Sequence, residues 1–135
     1  MIDKLLNTRV WYWIFAAAHT IMGVLIGVLN PNLLAEGAWG AGNVLGHDAF
    51  YERGLSLFGL SLSLMMIGNG LVFSGRAFHK IAAITGTTMA VVFVICAIYS
   101  SSQDYGTLAM WIPPFVLAGM LLVSAGRALR TAEAE

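Results

Sequence analysis

Long runs without a charged side chain dominate the pattern of this chain. Four stretches contain no Asp, Glu, Lys or Arg, and they cover about residues 10–29, 54–73, 81–99 and 108–126. A helix needs about 20 apolar residues to cross a hydrocarbon core of roughly 30 Å. Because unpaired backbone groups are costly in lipid, irregular structure is excluded from such runs. The pattern predicts an all-α membrane protein, a four transmembrane helix antiparallel bundle in one domain, residues 1–135.

Composition agrees with a chain that folds in lipid. Hydrophobic residues make up 59% and charged residues 10%, against roughly 45–50% and about 25% in soluble domains. A soluble fold with so few charges would lack the polar side chains that cover a surface. Lys plus Arg equals Asp plus Glu at seven each, so no net charge attracts nucleic acid, and none is predicted as a partner.

The distribution of basic residues predicts the orientation, with both termini cytoplasmic. In that arrangement only Arg53 of the seven basic residues lies outside, in the long outer loop 30–53. Cytoplasmic segments of membrane proteins carry an excess of Lys and Arg. The inner flanks would hold the other six, namely Lys4, Arg9, Arg76, Lys80, Arg127 and Arg130.

Small and polar residues recur every three or four positions along the first two predicted helices. In lipid, helices associate through close approach of small residues and a few hydrogen bonds. We therefore expect these faces to point into the bundle. They comprise Ala16, His19, Gly23, Gly27 and Asn30 on the first helix and Glu52, Ser56, Gly59, Ser63, Met66 and Gly70 on the second.

His19 is the polar residue that lies deepest in a predicted span, about 15 Å from its inner end at 1.5 Å per residue. An ionisable group at that depth is a candidate functional site. Ser63 lies at a similar depth, so one interpretation is a neutral histidine that packs against Ser63 or a backbone carbonyl. The other is direct binding of a head group, quinone or substrate. Asn69 and Thr88 are further ligand or packing candidates within the spans.

A second group of polar residues lies in the outer loop and comprises Glu36, His47, Asp48, Glu52 and Arg53. One reading is a hard-metal or zinc-like set, but the spacing matches no strong metal signature, and we predict no metal. The alternative is structural: Asp48 caps the second helix, whose N-terminal dipole favours a negative charge, and Glu52 pairs with Arg53 or with a neighbouring chain.

Several classes of function lack the residues that they need. No carboxylate lies inside the predicted spans, whereas proton-coupled carriers generally use one in the membrane. The chain also has no nucleophile with a paired base and no glycine-rich phosphate loop. No catalytic residue is assigned.

The layout resembles the small bacterial four-helix membrane proteins called DoxX-like. The likeness lies in a polar residue in the first helix, a long outer connection, and a glycine-rich second helix that begins Gly54-Leu55-Ser56-Leu57-Phe58-Gly59 and leads to Gly75-Arg76. It covers most of the chain. The resemblance implies the bacterial cytoplasmic (inner) membrane, and some members are described as membrane subunits of quinone-linked oxidoreductases.

Three hypotheses of function follow. The first is a non-catalytic accessory or oligomerising subunit that packs against another membrane protein or its own copies and holds a lipid or quinone between helices. The second is a small membrane enzyme or oxidoreductase subunit that acts on a lipophilic substrate near the outer leaflet through His47, Asp48 and Glu52. The third is a channel or carrier. A pocket lined by the outer residues would favour the second, and a continuous polar path past His19 the third.

Overall fold

The computed structural model describes residues 6–131, which form helices and connections and contain no strand. The five helices are α1 (Thr8–Leu29), α2 (Pro31–Trp39), α3 (Asp48–Val72), α4 (Gly75–Ser102) and α5 (Ile112–Thr131), and a 3-10 turn, Leu108–Trp111, leads into α5. By length and composition α1, α3, α4 and the segment Leu108–Thr131 can each cross a membrane. The fold is therefore all-helical and indicates a multi-pass membrane protein.

The long connection between α1 and α3 is partly helical. Asn30 leaves the helical region, with φ −138°, because the residue before a proline is disfavoured there. Pro31 then stands at the start of α2, where its missing N–H costs nothing. α3 already begins at Asp48, so the segment that the charge pattern places in a loop, residues 30–53, contains α2 and the first turns of α3.

The middle of α1 is a π-helix, His19–Leu25, in which the Ile26 N–H donates to the Ile21 carbonyl five residues earlier. π-helical segments are rare and occur mostly as bulges inside α-helices, frequently at functional sites. The inward face of α1 was predicted from small and polar residues spaced three or four apart, which is the spacing of an α-helix. A π-helical turn is wider, so that spacing does not hold across His19–Leu25. His19 is the first residue of this segment.

Two pairs of helices make the most extensive contacts in the fold. α3 packs along α1, α4 packs along α5, and the first half of α1 also contacts α5. Only Phe73 and Ser74 separate α3 from α4, yet these two helices make only slight contact. A short turn keeps two helix ends together but does not determine which faces pack.

The expected polar and small face of α3 is its buried face, with Glu52, Ser56, Ser63, Met66 and Gly70 all buried. Glycines on these faces allow neighbouring helices to approach each other closely. A Cβ on Gly27 of α1 would lie 1.8 Å from the Ser56 Oγ, and one on Gly86 of α4 would lie 3.0 Å from the Leu122 backbone nitrogen. The core itself is formed by Tyr12, Phe15, Ala16, Met66, Phe78, Ala82, Met89, Ala118, Leu121 and Ala125.

Hydrogen bonds between distant segments include one from the Tyr12 hydroxyl to the Met66 carbonyl at 2.9 Å and others in two regions, which we name the turn end and the loop end. At the turn end, the Arg9 Nη2 donates to the Phe73 carbonyl at 2.9 Å, and the Thr8 Oγ1 donates to the Ser124 carbonyl at 3.1 Å. At the loop end, formed by α2 and residues 103–107, the Gly106 N–H donates to the Ala38 carbonyl at 2.7 Å. The candidate site adjoins the loop end.

Candidate functional site

A cavity of about 460 Å³ lies between α1, α4 and the start of α5 and extends to the loop end. Its volume falls in the range of about 300–1,000 Å³ that is usual for small-molecule sites. Its wall comes from all five helices and the turn before α5. Most of the wall is apolar, with Phe15, Met22, Leu34, Phe93, Met110 and Leu117 among the lining residues. Ala18 and Gly23 on α1 leave the space open.

A buried carboxylate faces this cavity. Glu52 is 7% exposed, and its Oε1 accepts a hydrogen bond from the Tyr105 hydroxyl. Both residues line the cavity. The interpretation that Glu52 pairs with Arg53 is therefore wrong, and its partner lies beyond α4 in the turn before α5. α3 begins earlier than the charge pattern indicates, so this membrane-length helix includes Glu52, a carboxylate that faces inward. The argument against proton-coupled chemistry, which was that no predicted span contains a carboxylate, therefore no longer holds.

Tyr105 keeps its proton firmly. Burial raises the pKa of Tyr105, and the hydrogen bond to Glu52 together with the negative charges of Glu52 and Asp48 raises this pKa further. Each cause disfavours a second negative charge beside the carboxylate. Tyr105 therefore remains a hydrogen-bond donor throughout the physiological pH range.

This raised pKa gives a pH-dependent stability. Since the Tyr105 pKa is higher in the folded protein than its usual 10.0, the associated stability is complete below about pH 10 and is lost as the pH rises towards the folded value. We expect the free energy of unfolding in detergent to fall above pH 10, by at most about 1.4 kcal/mol per pH unit for one proton. Tyr105→Phe should show a shallower decline, and parallel pH curves for the two proteins would contradict the assignment.

His19 also lines the cavity, where its ring lies parallel to that of Phe15 with centroids 6.5 Å apart. The Gly59 carbonyl is a polar neighbour of the imidazole, but Nε2 is buried and makes no hydrogen bond within residues 6–131. The Ser63 Oγ is likewise without a hydrogen-bond partner in this range. Of the two partners considered for a neutral His19, Ser63 is therefore wrong, since the Ser63 Oγ makes no hydrogen bond to the imidazole. The backbone carbonyl beside the imidazole is that of Gly59.

Trp111 supplies a donor that the sequence did not single out. Its Nε1 is buried and has no hydrogen-bond partner among the described residues, and its ring is 6.3 Å from that of Phe93. A buried indole N–H usually has a partner. In the sequence Trp111 and Tyr105 are typical of the aromatic belt at a membrane boundary, and no local signal distinguishes such residues from ones that line a cavity.

The other candidate residues lie away from the cavity wall. The prediction that Asp48 caps α3 is wrong, because His47 is the N-cap residue and Asp48 lies in the first turn. The Asp48 Oδ2 accepts a 2.6 Å hydrogen bond from the Leu45 N–H, which precedes the helix. His47 is exposed, with Nε2 3.6 Å from the Asp48 Oδ1. Glu36 and Arg53 are exposed as well, as is Thr88 on α4, while Asn69 lies beside Tyr12. No group of three metal-ligating side chains occurs within the described part of the chain.

The site thus combines an apolar chamber with a few polar groups at its wall: the Glu52–Tyr105 pair, the His19 imidazole and the Trp111 indole. This arrangement can accept and donate hydrogen bonds to the head of a mostly apolar molecule. Comparison with protein-family models, with curated proteins and with solved structures gives no match for this chain.

Proposed function

We propose that this protein holds one lipophilic molecule with a neutral, hydrogen-bonding head group in the cavity between its helices. The observation that supports this most is the cavity itself, about 460 Å³ in volume and mainly apolar, with Glu52, Tyr105, His19 and Trp111 at its wall. Ligand sites usually combine such apolar walls with a few polar groups that orient the ligand.

A quinone fits this lining better than a phospholipid does. Among the described residues no Lys or Arg lines the cavity, so a phosphate would meet the Glu52 carboxylate without a described cation to balance it. A quinone ring can lie against Phe15, and its carbonyl oxygens can accept from the Trp111 indole. In the reduced form, its hydroxyl groups can donate to Glu52. The DoxX-like resemblance is consistent with this ligand.

The membrane arrangement that we propose is an antiparallel four-helix bundle with both termini in the cytoplasm of a bacterium and the protein in its inner membrane. The excess of basic residues near the turn end supports this orientation, since Arg9, Arg76 and Lys80 lie in that region of the chain. The loop end then faces outward, and the cavity lies in the outer half of the bilayer.

The role that follows is that of an accessory or oligomerising subunit, which carries its ligand beside another membrane protein or a second copy. An oxidoreductase subunit is the second candidate, because Glu52 in the cavity can accept a proton from a quinol. In that case the working groups are Glu52, Tyr105 and His19 rather than His47 and Asp48, which do not line the cavity. The channel hypothesis gains no support, because the cavity wall is mainly apolar.

Native mass spectrometry of the protein, extracted gently from its membrane, tests the proposal. We expect one bound molecule per chain, with the mass of a quinone. Trp111→Phe should weaken the binding of an added benzoquinone about fivefold to tenfold, since a hydrogen bond contributes about 1 kcal/mol net.

Trp13→Phe is the matched control for that measurement, because Trp13 lies against Gly70 rather than in the cavity. It should leave binding within about twofold. A protein that carries no lipophilic molecule and binds no added quinone would overturn the proposal. Equal losses in the two variants would overturn the location of the site.

A further inference from the structure

Two polar groups at the wall of the cavity have opposite hydrogen-bonding needs. Glu52 lines the cavity and is 7% exposed, and an ionised carboxylate only accepts hydrogen bonds. The indole of Trp111 only donates, and its Nε1 has no partner among the described residues. A ligand that satisfies both groups must offer a donor to Glu52 and an acceptor to Trp111.

The hydrogen bond from Tyr105 does not use up the accepting capacity of Glu52. A carboxylate has about four acceptor sites, and the Tyr105 hydroxyl occupies one of them, at Oε1. This hydroxyl carries a single proton, so it cannot donate to a ligand carbonyl while it donates to Glu52. Turning it towards the ligand would remove a bond from a buried carboxylate, which costs free energy.

We infer that the cavity binds the reduced, dihydroxy form of its ligand more tightly than the oxidised, dicarbonyl form, and that Glu52 sets this preference. The inference rests on the proposed function, because it takes a quinone-type head as the ligand. A quinol hydroxyl can donate to Glu52 while an oxygen of the same head accepts from Trp111. A quinone can accept from Trp111, but it offers Glu52 only carbonyl oxygens, which carry partial negative charge.

The surroundings of Glu52 make this difference large. The cavity wall is mainly apolar, and in such a medium both the attraction of a hydroxyl and the repulsion of a carbonyl are stronger than in water. Hydrogen bonds to an ionised group are also stronger than those between neutral groups. We therefore expect the reduced form to bind at least about tenfold more tightly than the oxidised form.

His19 does not oppose this preference. Its Nε2 is buried and makes no hydrogen bond within residues 6–131. A neutral imidazole nitrogen donates or accepts according to its tautomer, so His19 can serve either form of the ligand. Of the polar groups at the cavity wall, Glu52 is the one that distinguishes a hydroxyl from a carbonyl.

The inference is tested on the wild-type protein in phosphatidylcholine nanodiscs, titrated with a decyl benzoquinone and, without oxygen, with the corresponding benzoquinol. Each affinity is expressed as a mole fraction in the bilayer, and the quinol should bind at least about tenfold more tightly. A redox titration of the bound ligand gives an independent measure. For a two-electron couple, a tenfold preference for the reduced form raises the midpoint potential by about 30 mV.

Glu52→Gln assigns the preference to its residue. The amide keeps the size of the side chain and can still accept from Tyr105, but it can also donate to a carbonyl. We expect the ratio of the two affinities to fall to about threefold or less. Asp48→Asn is the matched control, because it removes a carboxylate at the start of α3 that does not line the cavity. It should keep the wild-type ratio within about twofold.

The outcomes separate the inference from the proposed function. A wild-type protein that binds neither form overturns both. Equal binding of the two forms, or tighter binding of the quinone, overturns the inference alone, and this wild-type comparison holds even if Glu52→Gln folds poorly. A full preference for the quinol in folded Glu52→Gln would overturn the assignment to Glu52.

Discussion

Replacement of Ala18 by phenylalanine should abolish ligand binding, with a loss of affinity of about a hundredfold or more. Ala18 lines the cavity on α1, and a phenylalanine ring there would occupy space that the ligand head needs. Folded interiors tolerate little overlap, and a loss of this size corresponds to about 2.8 kcal/mol at 1.4 kcal/mol per tenfold change. Titration of a benzoquinone that carries a decyl tail, with the protein in phosphatidylcholine nanodiscs, measures the effect.

The neighbouring position gives the control for this variant. Ala17 is also on α1 but is exposed and does not line this cavity, so Ala17→Phe introduces the same side chain on a different face. It should keep the wild-type affinity. If Ala18→Phe binds the probe as the wild type does, the ligand does not occupy this cavity.

Gly27→Leu should produce the largest loss of stability, about 3 kcal/mol, the upper end of the usual cost of overpacking. A Cβ at this position would lie 1.8 Å from the Ser56 Oγ and 2.8 Å from the Ser56 Cβ. The hydroxyl can rotate away, but the Cβ is fixed to the backbone of α3. The substitution must therefore separate α1 from α3, the helices that carry His19 and Glu52.

Unfolding in mixed micelles of mild detergent and dodecyl sulfate measures this loss. Gly54→Leu is the matched control, because a Cβ on Gly54 meets no atom within 4 Å. We expect Gly54→Leu to change the free energy of unfolding by less than about 1 kcal/mol, the intrinsic difference of glycine from good helix formers. Similar losses in the two variants would show that α1 and α3 do not approach as closely as described.

Gly27 also connects stability with binding. It lies on the same helix as Ala18 and His19, just beyond the π-helical segment His19–Leu25. A shift of α1 relative to α3 would change the distance between the imidazole and the carboxylate. The close contact of Gly27 with Ser56 therefore does more than pack two helices, since it fixes the separation of two walls of the cavity.

The sequence by itself determined the number of membrane-length helices and the buried face of α3. Both depend on local properties: the absence of charge over about 20 residues defines a span, and small or polar residues every three or four positions define a face. The same reasoning selected His19, Glu52 and Ser63 as inward-facing residues, which the structure places in the interior of the protein or at its cavity.

Only the tertiary structure decided how these helices combine. The Glu52–Tyr105 bond joins residues 53 positions apart, and no pattern within a single helix encodes it. The same holds for the partnership of α1 with α3 and for the cavity, which is lined by all five helices. It also holds for the Trp111 indole, which has no hydrogen-bond partner among the described residues. In lipid, every span is apolar, so close packing and a few hydrogen bonds select the partners. These contacts depend on the shapes of whole helix faces.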